Sequence, residues 1–188
     1  VVILGVFVAD TSYRADRMPV IGETIMGNAF ALGPGGKGSN QAVACARIGA
    51  ETHIISMLGK DDFANLALET WAEAGVIPHV RQLEESYTGA AHIFIEESTG
   101  DNAIIVAPGA AALINVSDID AQKDLISEAD VFVTQLEQPM PAAMRGLQIA
   151  KKAGVTTILN PAPAMELPIG MLKLCDYVTP NETECEAL

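Results

Sequence analysis

The hydrophobic pattern of the C-terminal half alternates between short apolar runs and longer amphipathic ones. Strand-like runs rich in β-branched residues cover 129–137, 155–160 and 176–181, and helix-like stretches separate them at 139–154 and 167–175. Strands and helices that alternate at this spacing are typical of βαβ units, in which helices join parallel strands. The pattern therefore predicts an α/β fold with a parallel sheet flanked by helices on both faces, in a Rossmann-type three-layer arrangement.

The N-terminal half continues this alternation of strands and helices. The apolar run VVILGVFVAD at 1–10 predicts a buried first strand. Helices are predicted over 39–49 and 61–75, because each pattern ends at a glycine and the second begins at an aspartate that can cap it. Asp61 and Asp62 are both candidates for that cap.

Two further segments follow a different pattern. Residues 11–32 and 83–107 carry apolar residues at every second position, with glycine, asparagine and aspartate at turn positions and no helical period. The sequence ESTGDN in the second segment predicts a hairpin. We expect these segments to form a small β-sheet lid over the α/β core, which then comprises 1–10, 33–82 and 108–188.

The formal net charge of −13 limits the partners that the chain is expected to bind. Nucleic acids and anionic membranes carry phosphate groups that an acidic surface repels, so we expect neither as a partner. The apolar runs are too short to cross a bilayer, so no membrane span is predicted. The acidic residues are spread along the chain rather than grouped in a tail, which is typical of a solvated protein surface.

The cysteines and histidines give no pattern of a disulfide or of a metal site. The three cysteines form an odd set without C-x-x-C spacing, which favours reduced thiols and a cytoplasmic location. His53, His79 and His92 are far apart in the sequence, each on a strand-like or loop stretch. We therefore expect no cluster of histidines around a metal ion.

Each of the three C-terminal strand patterns ends on a polar residue: Glu137, Asn160 or Asn181. The carboxyl ends of parallel strands meet at one edge of a sheet, where ligands of open α/β sheets bind. These three side chains are therefore candidates for one shared crevice. The alternative is that they are polar only because strand ends lead into loops.

The stretch GPGGKGSN at 33–40 combines four glycines with a lysine and an asparagine. It satisfies the dinucleotide pattern G-x-G-x-x-G, but Pro34 removes a backbone N–H and the stretch does not follow the first strand. A P-loop is also disfavoured, because its first glycine and the hydroxyl residue after its lysine are missing. The glycines let a ligand approach the main chain, and Lys37 and Asn40 supply hydrogen-bond donors. This combination suits a polyhydroxylated ligand. A glycine-rich turn with Lys37 in solvent is the alternative.

Several motifs occur together in the order of a known family. They are GGKGSNQA at 35–42, Gly49, Gly59, QLEQP at 135–139, NPAPA at 160–164 and TPNETE at 179–184. In these residues the chain resembles the ribokinase-like (PfkB) carbohydrate kinases over essentially its whole length. The resemblance implies the ribokinase-like fold. It also implies an ATP-dependent kinase that phosphorylates a primary hydroxyl of a pentose. The first candidate for the pentose is D-ribose, with ribose 5-phosphate as the product.

The resemblance also assigns roles to residues that match the family motifs. The residues that it implies for sugar binding are Asp10, Gly36, Lys37, Gly38, Asn40 and Glu137. On the nucleotide side it implies that Asn181 contacts ATP and that Glu184 organises Mg²⁺, with a capping box between these two residues as the alternative. It further implies a homodimer formed through the lid. A monovalent cation such as K⁺ is implied as well, at a site that we expect outside these 188 residues.

Two features depart from the family pattern. Val8 lies where close members of the family usually have asparagine, so one hydrogen-bond partner for the sugar is lost and we expect weaker selection for ribose. The family's catalytic aspartate lies in a GAGD motif, and no G-x-G-D sequence occurs in the chain. Asp61 and Asp62 do not replace it, because they begin a helix and are explained as N-caps. We expect the chain to be the N-terminal portion of a kinase.

Other functions stay open at this point. The chain could be a catalytically inactive sugar-binding fragment, which would bind sugar without nucleotide turnover. Related kinases for fructose or for a nucleoside carry similar motifs, and a substrate profile would separate them. A dinucleotide-dependent oxidoreductase would use residues 33–38 as its pyrophosphate loop, and Pro34 argues against this.

Overall fold

The computed structural model describes residues 1–187, which form ten strands, six helices and two 3₁₀ turns. The strands are β1 (Val2–Leu4), β2 (Val8–Ala15), β3 (Ala29–Gly35), β4 (Thr52–Gly59), β5 (Val76–Leu83), β6 (Thr88–Glu96), β7 (Asn102–Gly109), β8 (Val131–Thr134), β9 (Thr156–Leu159) and β10 (Tyr177–Val178). The helices are α1 (Lys37–Arg47), α2 (Asp62–Ala74), α3 (Val116–Asp120), α4 (Lys123–Ser127), α5 (Met140–Ala153) and α6 (Glu182–Ala187). The 3₁₀ turns are Ala110–Leu113 and Leu172–Leu174.

Six strands form the main sheet, in the order β10-β9-β8-β1-β4-β5. Every pair of neighbouring strands in this sheet is parallel. β1 is buried along its whole length and lies between β4 and β8. The predicted α/β fold with a parallel sheet is confirmed.

The two faces of the main sheet bury separate hydrophobic clusters, because successive strand residues point to opposite faces. Val2 and Leu4 pack in the cluster that includes residues of α3, α4 and α5. Ile3 packs in the other cluster, with residues of α1 and α2. Trp71 of α2 is fully buried there and donates its indole N–H to Oγ of Ser39 on α1 at 2.9 Å. Helices thus cover both faces, as predicted.

The ends of the helices follow the predicted caps at most positions. The side chain of Asp61 accepts a backbone N–H of α2 at 2.8 Å, so Asp61 rather than Asp62 is the N-cap. Gly75 and Gly154 end α2 and α5 with φ of 80° and 79°, a conformation that glycine adopts at little cost. The helix predicted over 167–175 is wrong apart from one 3₁₀ turn. Within residues 1–187, no helix is both long and apolar enough to cross a membrane.

The single strand predicted over 1–10 is wrong, because the chain forms two strands in different sheets. β1 ends at Leu4 in the main sheet, and β2 begins at Val8 in the small one. Gly5 lies at the turn between them, where a side chain would be 2.6 Å from Cα of Gly38. The apolar run does not reveal this turn, because the residues on both sides of it are buried.

The small sheet has four strands in the order β3-β2-β6-β7. β2 and β6 are parallel, whereas the two outer pairs are antiparallel, and the β6–β7 pair confirms the predicted hairpin. The strands extend beyond the predicted lid segments 11–32 and 83–107, since β2 begins at Val8, β3 ends at Gly35 and β7 ends at Gly109. The division of the chain into core and lid stays a prediction.

Two of the three histidines that the sequence separates are in contact. β4 and β5 pair in the main sheet and bring Nδ1 of His53 to 2.9 Å from Nε2 of His79. Burial, and then the charge of His53, lower the pKa of His79. His92 lies on the small sheet, with its ring centroid 5.0 Å from that of Tyr13. The structure thus brings two of the three side chains together and leaves the third on the other sheet.

Candidate functional site

The candidate site lies where the small sheet joins the core. Asp10 on β2 pairs with Gly33 of β3 and with Ala91 of β6. Its carboxyl group lies over Gly35, where a side chain would be only 2.3 Å from Oδ2 of Asp10. Asp10 is thus the third residue of a strand in the small sheet. The prediction that it ends the first strand of the core is wrong.

Two glycines of the GPGGKGSN stretch are required by the packing of the chain itself. Gly36 has φ of 89°, in the left-handed region, and a side chain there would lie 2.4 Å from the carbonyl oxygen of Val6. A side chain at Gly38 would lie 2.5 Å from Cα of Gly5. Both glycines therefore let α1 approach the β1–β2 turn. Their contact with a sugar stays a prediction.

Glu137 reaches from the loop after β8 to the beginning of α1. Its Oε2 accepts the backbone N–H of Lys37 at 2.8 Å, and its Oε1 lies 3.9 Å from Nζ of Lys37. The N-cap position of α1 is Gly36, which has no side chain to accept an N–H of the first turn. Glu137 supplies that acceptor from a distant part of the chain, at the helix end where a negative charge is favoured.

The two carboxyl groups at this junction are both harder to ionise than usual. Burial raises the pKa of Asp10. Burial is also the main reason for the raised pKa of Glu137. The backbone N–H and the ammonium group of Lys37 act in the opposite direction and lower this pKa, whereas the charge of Asp10 raises it further. Two partly buried acids near each other are poorly solvated, so donors from a ligand would stabilise their charged forms.

The donor and acceptor groups of this junction suit a ligand with several hydroxyl groups. Asp10 and Glu137 accept hydrogen bonds, and the Lys37 ammonium group donates them. Asn40 lies in the first turn of α1 and is exposed, so its amide can do both. A hydroxyl group both donates and accepts. The structure thus brings Asp10, Lys37 and Glu137 together, with Asn40 on the adjoining helix turn.

Asn181 and Glu184 lie at the beginning of α6 and bind each other. Asn181 donates its backbone N–H to Oε2 of Glu184 at 2.9 Å, and the N–H of Glu184 is donated to Oδ1 of Asn181 at 2.8 Å. This is the capping box that the sequence left as the alternative. Roles in ATP and Mg²⁺ binding stay predictions. Among residues 1–187, no group of three or more His, Cys, Asp or Glu side chains is arranged to hold one metal ion.

The polar strand ends predicted to share a crevice all lie at the carboxyl edge of the main sheet, after β8, β9 and β10. Asn160 donates its side-chain amide to the carbonyl oxygen of Thr179 at 2.9 Å and its backbone N–H to that of Thr134, also at 2.9 Å. Its amide donor therefore links two strand ends. The structure gives Asn160 a structural role at this edge.

Two glutamines beside Glu137 received no role from the sequence. Gln135 is fully buried, donates its amide to the side chain of Gln41 and leaves Oε1 without a partner among residues 1–187. Gln138 is also buried and donates to Oγ1 of Thr134 at 2.8 Å. Together they hold the loop that carries Glu137. The available signal in the sequence was the presence of two glutamines at the end of an apolar strand, because glutamine is mostly exposed in proteins and is unusual at a buried position.

The fold and the site together define an α/β protein with a second, smaller sheet and a set of charged hydrogen-bonding side chains at the junction of the two sheets. The family model described as pfkB family carbohydrate kinase matches residues 1–188, so the chain belongs to that family. The resemblance stated from the motifs is confirmed.

Curated and solved relatives agree with this family. A ribokinase of Staphylococcus aureus (strain COL) is 42% identical over 190 residues that cover 100% of this chain and 62% of the relative. A ribokinase of Haemophilus influenzae is 37% identical, covering 99% of this chain and 61% of the relative. The structure of Arabidopsis thaliana ribokinase complexed with ribose and ATP has a TM-score of 0.90 and 30% identity, covering 100% of this chain and 61% of that one. The chain thus spans less than two thirds of each relative.

Proposed function

We propose that the intact protein transfers the γ-phosphoryl group of ATP to the primary hydroxyl O5 of D-ribose and releases ribose 5-phosphate. Membership of a carbohydrate kinase family and the similarity to ribokinases support this proposal. The observation that carries it is the meeting of Asp10, Lys37 and Glu137 at the junction of the two sheets. These groups come from three separate parts of the chain and have the chemistry that a pentose requires.

In this proposal the junction holds the sugar. Asp10 and Glu137 accept hydrogen bonds from its hydroxyls, and Lys37 and Asn40 donate to its oxygens. A hydrogen bond to a charged group contributes about 1.5–3 kcal/mol in a desolvated site. An epimer would leave one such group unpaired, which gives the site its selectivity.

Asn181 and Glu184 form the nucleotide side of the proposal. Their capping box occupies Oε2 of Glu184, and Oε1 accepts no hydrogen bond from residues 1–187. A carboxylate oxygen is a ligand type that Mg²⁺ prefers, directly or through water, so Glu184 fits the role of holding this ion. Bound with ATP, Mg²⁺ would neutralise charge on the phosphates. Asn181 would contact the nucleotide, and we place a K⁺ site outside these 188 residues.

The small sheet serves as the lid and as the contact of a homodimer in this proposal. Tyr13, Phe30, Leu32 and Ile105 are exposed, and the strand pairing places them on the face opposite to Asp10. An apolar face of this kind is typical of a surface that binds another protein. We place the enzyme in the cytoplasm, where ATP and free thiols are present.

Val8 is the residue that we expect to affect the selection of the sugar substrate. It lies two residues before Asp10 on β2, so its side chain points to the same face of the sheet. It is buried in a small apolar cluster with Val6, Ala91 and Ala111. We expect weaker selection for ribose than asparagine would give, so Val8→Asn should lower the KM for ribose.

An assay of ADP release by the intact protein tests the proposed function. Ribose, 2-deoxyribose, fructose and adenosine are each supplied with ATP and Mg²⁺. We expect the highest kcat/KM with ribose. Turnover mainly with fructose or adenosine would assign the related kinase activity, and ribose binding without ADP release would identify an inactive sugar-binding protein. No turnover and no sugar binding would refute the proposal.

A further inference from the structure

A second polar cluster joins the core to the small sheet. It consists of Gly59, Asp61 and Thr88, which we call the β4–β6 junction. β4 ends at Gly59, Asp61 caps α2, and β6 begins at Thr88. The cluster therefore lies where the main sheet, a core helix and the small sheet meet.

Both carboxylate oxygens of Asp61 accept hydrogen bonds, and each bond holds a different element. Oδ1 accepts the N–H of Ala64 at 2.8 Å and caps α2, while Oδ2 accepts the N–H of Thr88 at 2.7 Å. The hydroxyl oxygen of Thr88 accepts the N–H of Gly59 at 2.9 Å. Thr88 is fully buried, so water cannot easily replace these partners. Burial alone would raise the pKa of Asp61, but hydrogen bonds from the N–H and hydroxyl of Thr88 and from the N–H groups at the start of α2 outweigh it, so the pKa is lowered.

At Gly59 the backbone is packed closely against both Thr88 and Asp61. A side chain at Gly59 would lie 2.7 Å from the backbone nitrogen of Thr88 and 2.8 Å from Oδ2 of Asp61. The end of β4 and the beginning of β6 are therefore in direct contact. A close-packed contact of this kind transmits a displacement instead of absorbing it.

The β4–β6 junction is connected to Asp10 through the strand ladder of the small sheet. β6 lies between β2 and β7, and Asp10 on β2 pairs with Ala91 of β6. Ala91 is three residues after Thr88, and its carbonyl oxygen accepts the hydroxyl of Thr11 at 2.8 Å. A shift at the start of β6 would therefore move β2 and the carboxylate of Asp10 with it.

We propose that Asp61 is a positioning residue for the sugar site. Through Thr88 it fixes the start of β6 against α2, and so sets where Asp10 of the small sheet lies relative to Lys37 and Glu137 of the core. Its role as an N-cap explains only one of its two oxygens. The inference rests on the proposed function, since it concerns the same sugar site.

Two variants of the intact protein separate anchoring from capping. In Asp61→Asn the side-chain oxygen can still cap α2, but the amide group would face the N–H of Thr88 and cannot accept it. Asp61→Ser keeps a good N-cap residue that is too short to reach β6. Asp62→Asn is the matched control, because it removes the same charge one residue away, at an exposed position.

Two measurements decide the outcome. Hydrogen–deuterium exchange of the peptide covering β6 should speed up by about tenfold in both Asp61 variants, while the peptide covering α2 stays protected. The KM for ribose should rise by about tenfold, with kcat and the KM for ATP changed less than about twofold. Asp62→Asn should match the wild type in both measurements.

The outcomes distinguish this inference from the proposed function. Unchanged exchange of β6 in both Asp61 variants overturns the anchor, whether or not the protein phosphorylates ribose. Faster exchange with an unchanged KM for ribose shows a purely structural contact and overturns the positioning role. If the wild type neither binds nor phosphorylates a sugar, the proposed function fails, and the exchange measurement alone decides whether Asp61 anchors β6.

Discussion

Glu137→Gln removes the charge of Glu137 and keeps its shape, which separates its two roles. Oε2 of Glu137 accepts the N–H of Lys37 at 2.8 Å, and the amide oxygen of glutamine can accept the same bond. The structural role as a cap of α1 is thereby retained. The proposed role as a charged acceptor for sugar hydroxyls is lost.

The loss of ribose affinity can be worked out from the strengths of charged and neutral hydrogen bonds and from the exposure of Glu137. Hydrogen bonds to a charged group contribute about 1.5–3 kcal/mol and neutral ones about 0.5–1.5 kcal/mol, so each bond to the sugar should weaken by about 1 kcal/mol. The Glu137 side chain is 23% exposed, so solvent reduces this difference somewhat. With two hydroxyls bound, the affinity for ribose should fall by at least about tenfold, which corresponds to about 1.4 kcal/mol.

The stability of the protein without sugar should change little or increase. Burial raises the pKa of Glu137, so the folded protein holds its proton more tightly than the unfolded chain does. Stability therefore decreases as pH rises through the interval between the usual pKa and the raised one. Glu137→Gln should make this decrease smaller, and at neutral pH the free energy of unfolding should stay within about 0.5 kcal/mol or rise.

Calorimetric titration with ribose and urea unfolding at several pH values test this prediction on the intact protein. Glu73→Gln on α2 is the matched control, because Glu73 is an exposed acid and the same charge is removed. An unchanged ribose affinity together with a clear loss of stability would refute the reasoning. Glu137 would then be a structural cap alone, and the sugar site would lie elsewhere.

Three further predictions concern residues around the site and on β5. Lys37→Ala should raise the KM for ribose much more than the KM for ATP in steady-state assays; the reverse would place Lys37 at the phosphates. Gly38→Ala should lower the free energy of unfolding in urea by about 1–3 kcal/mol, since its Cβ would lie 2.5 Å from a backbone carbon, whereas Gly33→Ala has no atom within 4 Å and should be nearly neutral. Equal effects would contradict the packing argument. Burial and a neighbouring histidine lower the pKa of His79, so stability is lost as pH falls through the usual histidine pKa, and His79→Gln should reduce this loss in thermal unfolding. A pH dependence unchanged from that of His92→Gln would exclude His79 as its source.

Local signals account for the features that the sequence predicted correctly. The alternation of apolar strands with amphipathic helices indicated the parallel sheet, because each element buries a face with its own period. Gly75 and Gly154 marked the ends of α2 and α5, since a left-handed C-cap favours glycine strongly. The period-2 pattern around ESTGDN indicated the hairpin of the small sheet. Each of these signals lies within one element and needs no knowledge of its neighbours.

Predictions failed where one element depends on another. The run at 1–9 has no charged or polar side chain, because β1 is buried in the main sheet and the first residues of β2 are buried in the small one. An apolar run indicates that its residues are buried, but it does not indicate in which sheet they are buried. The contact between His53 and His79, which no prediction addressed, also depends on two elements: the pairing of β4 with β5 sets their register, although 26 residues separate them.

Composition, period and motif are properties of the chain, so the fold class, the family and the chemical groups available to the site could be predicted from the sequence. Which of these groups meet depends on tertiary packing. Lys37 and Glu137 are 100 residues apart and share a hydrogen bond because the loop after β8 ends beside the start of α1. Asp10 lies near them because the chain leaves the main sheet at Gly5, where the backbones of Gly5 and Gly38 are in direct contact. Contacts between distant segments depend on how whole elements pack, and no local pattern encodes that packing.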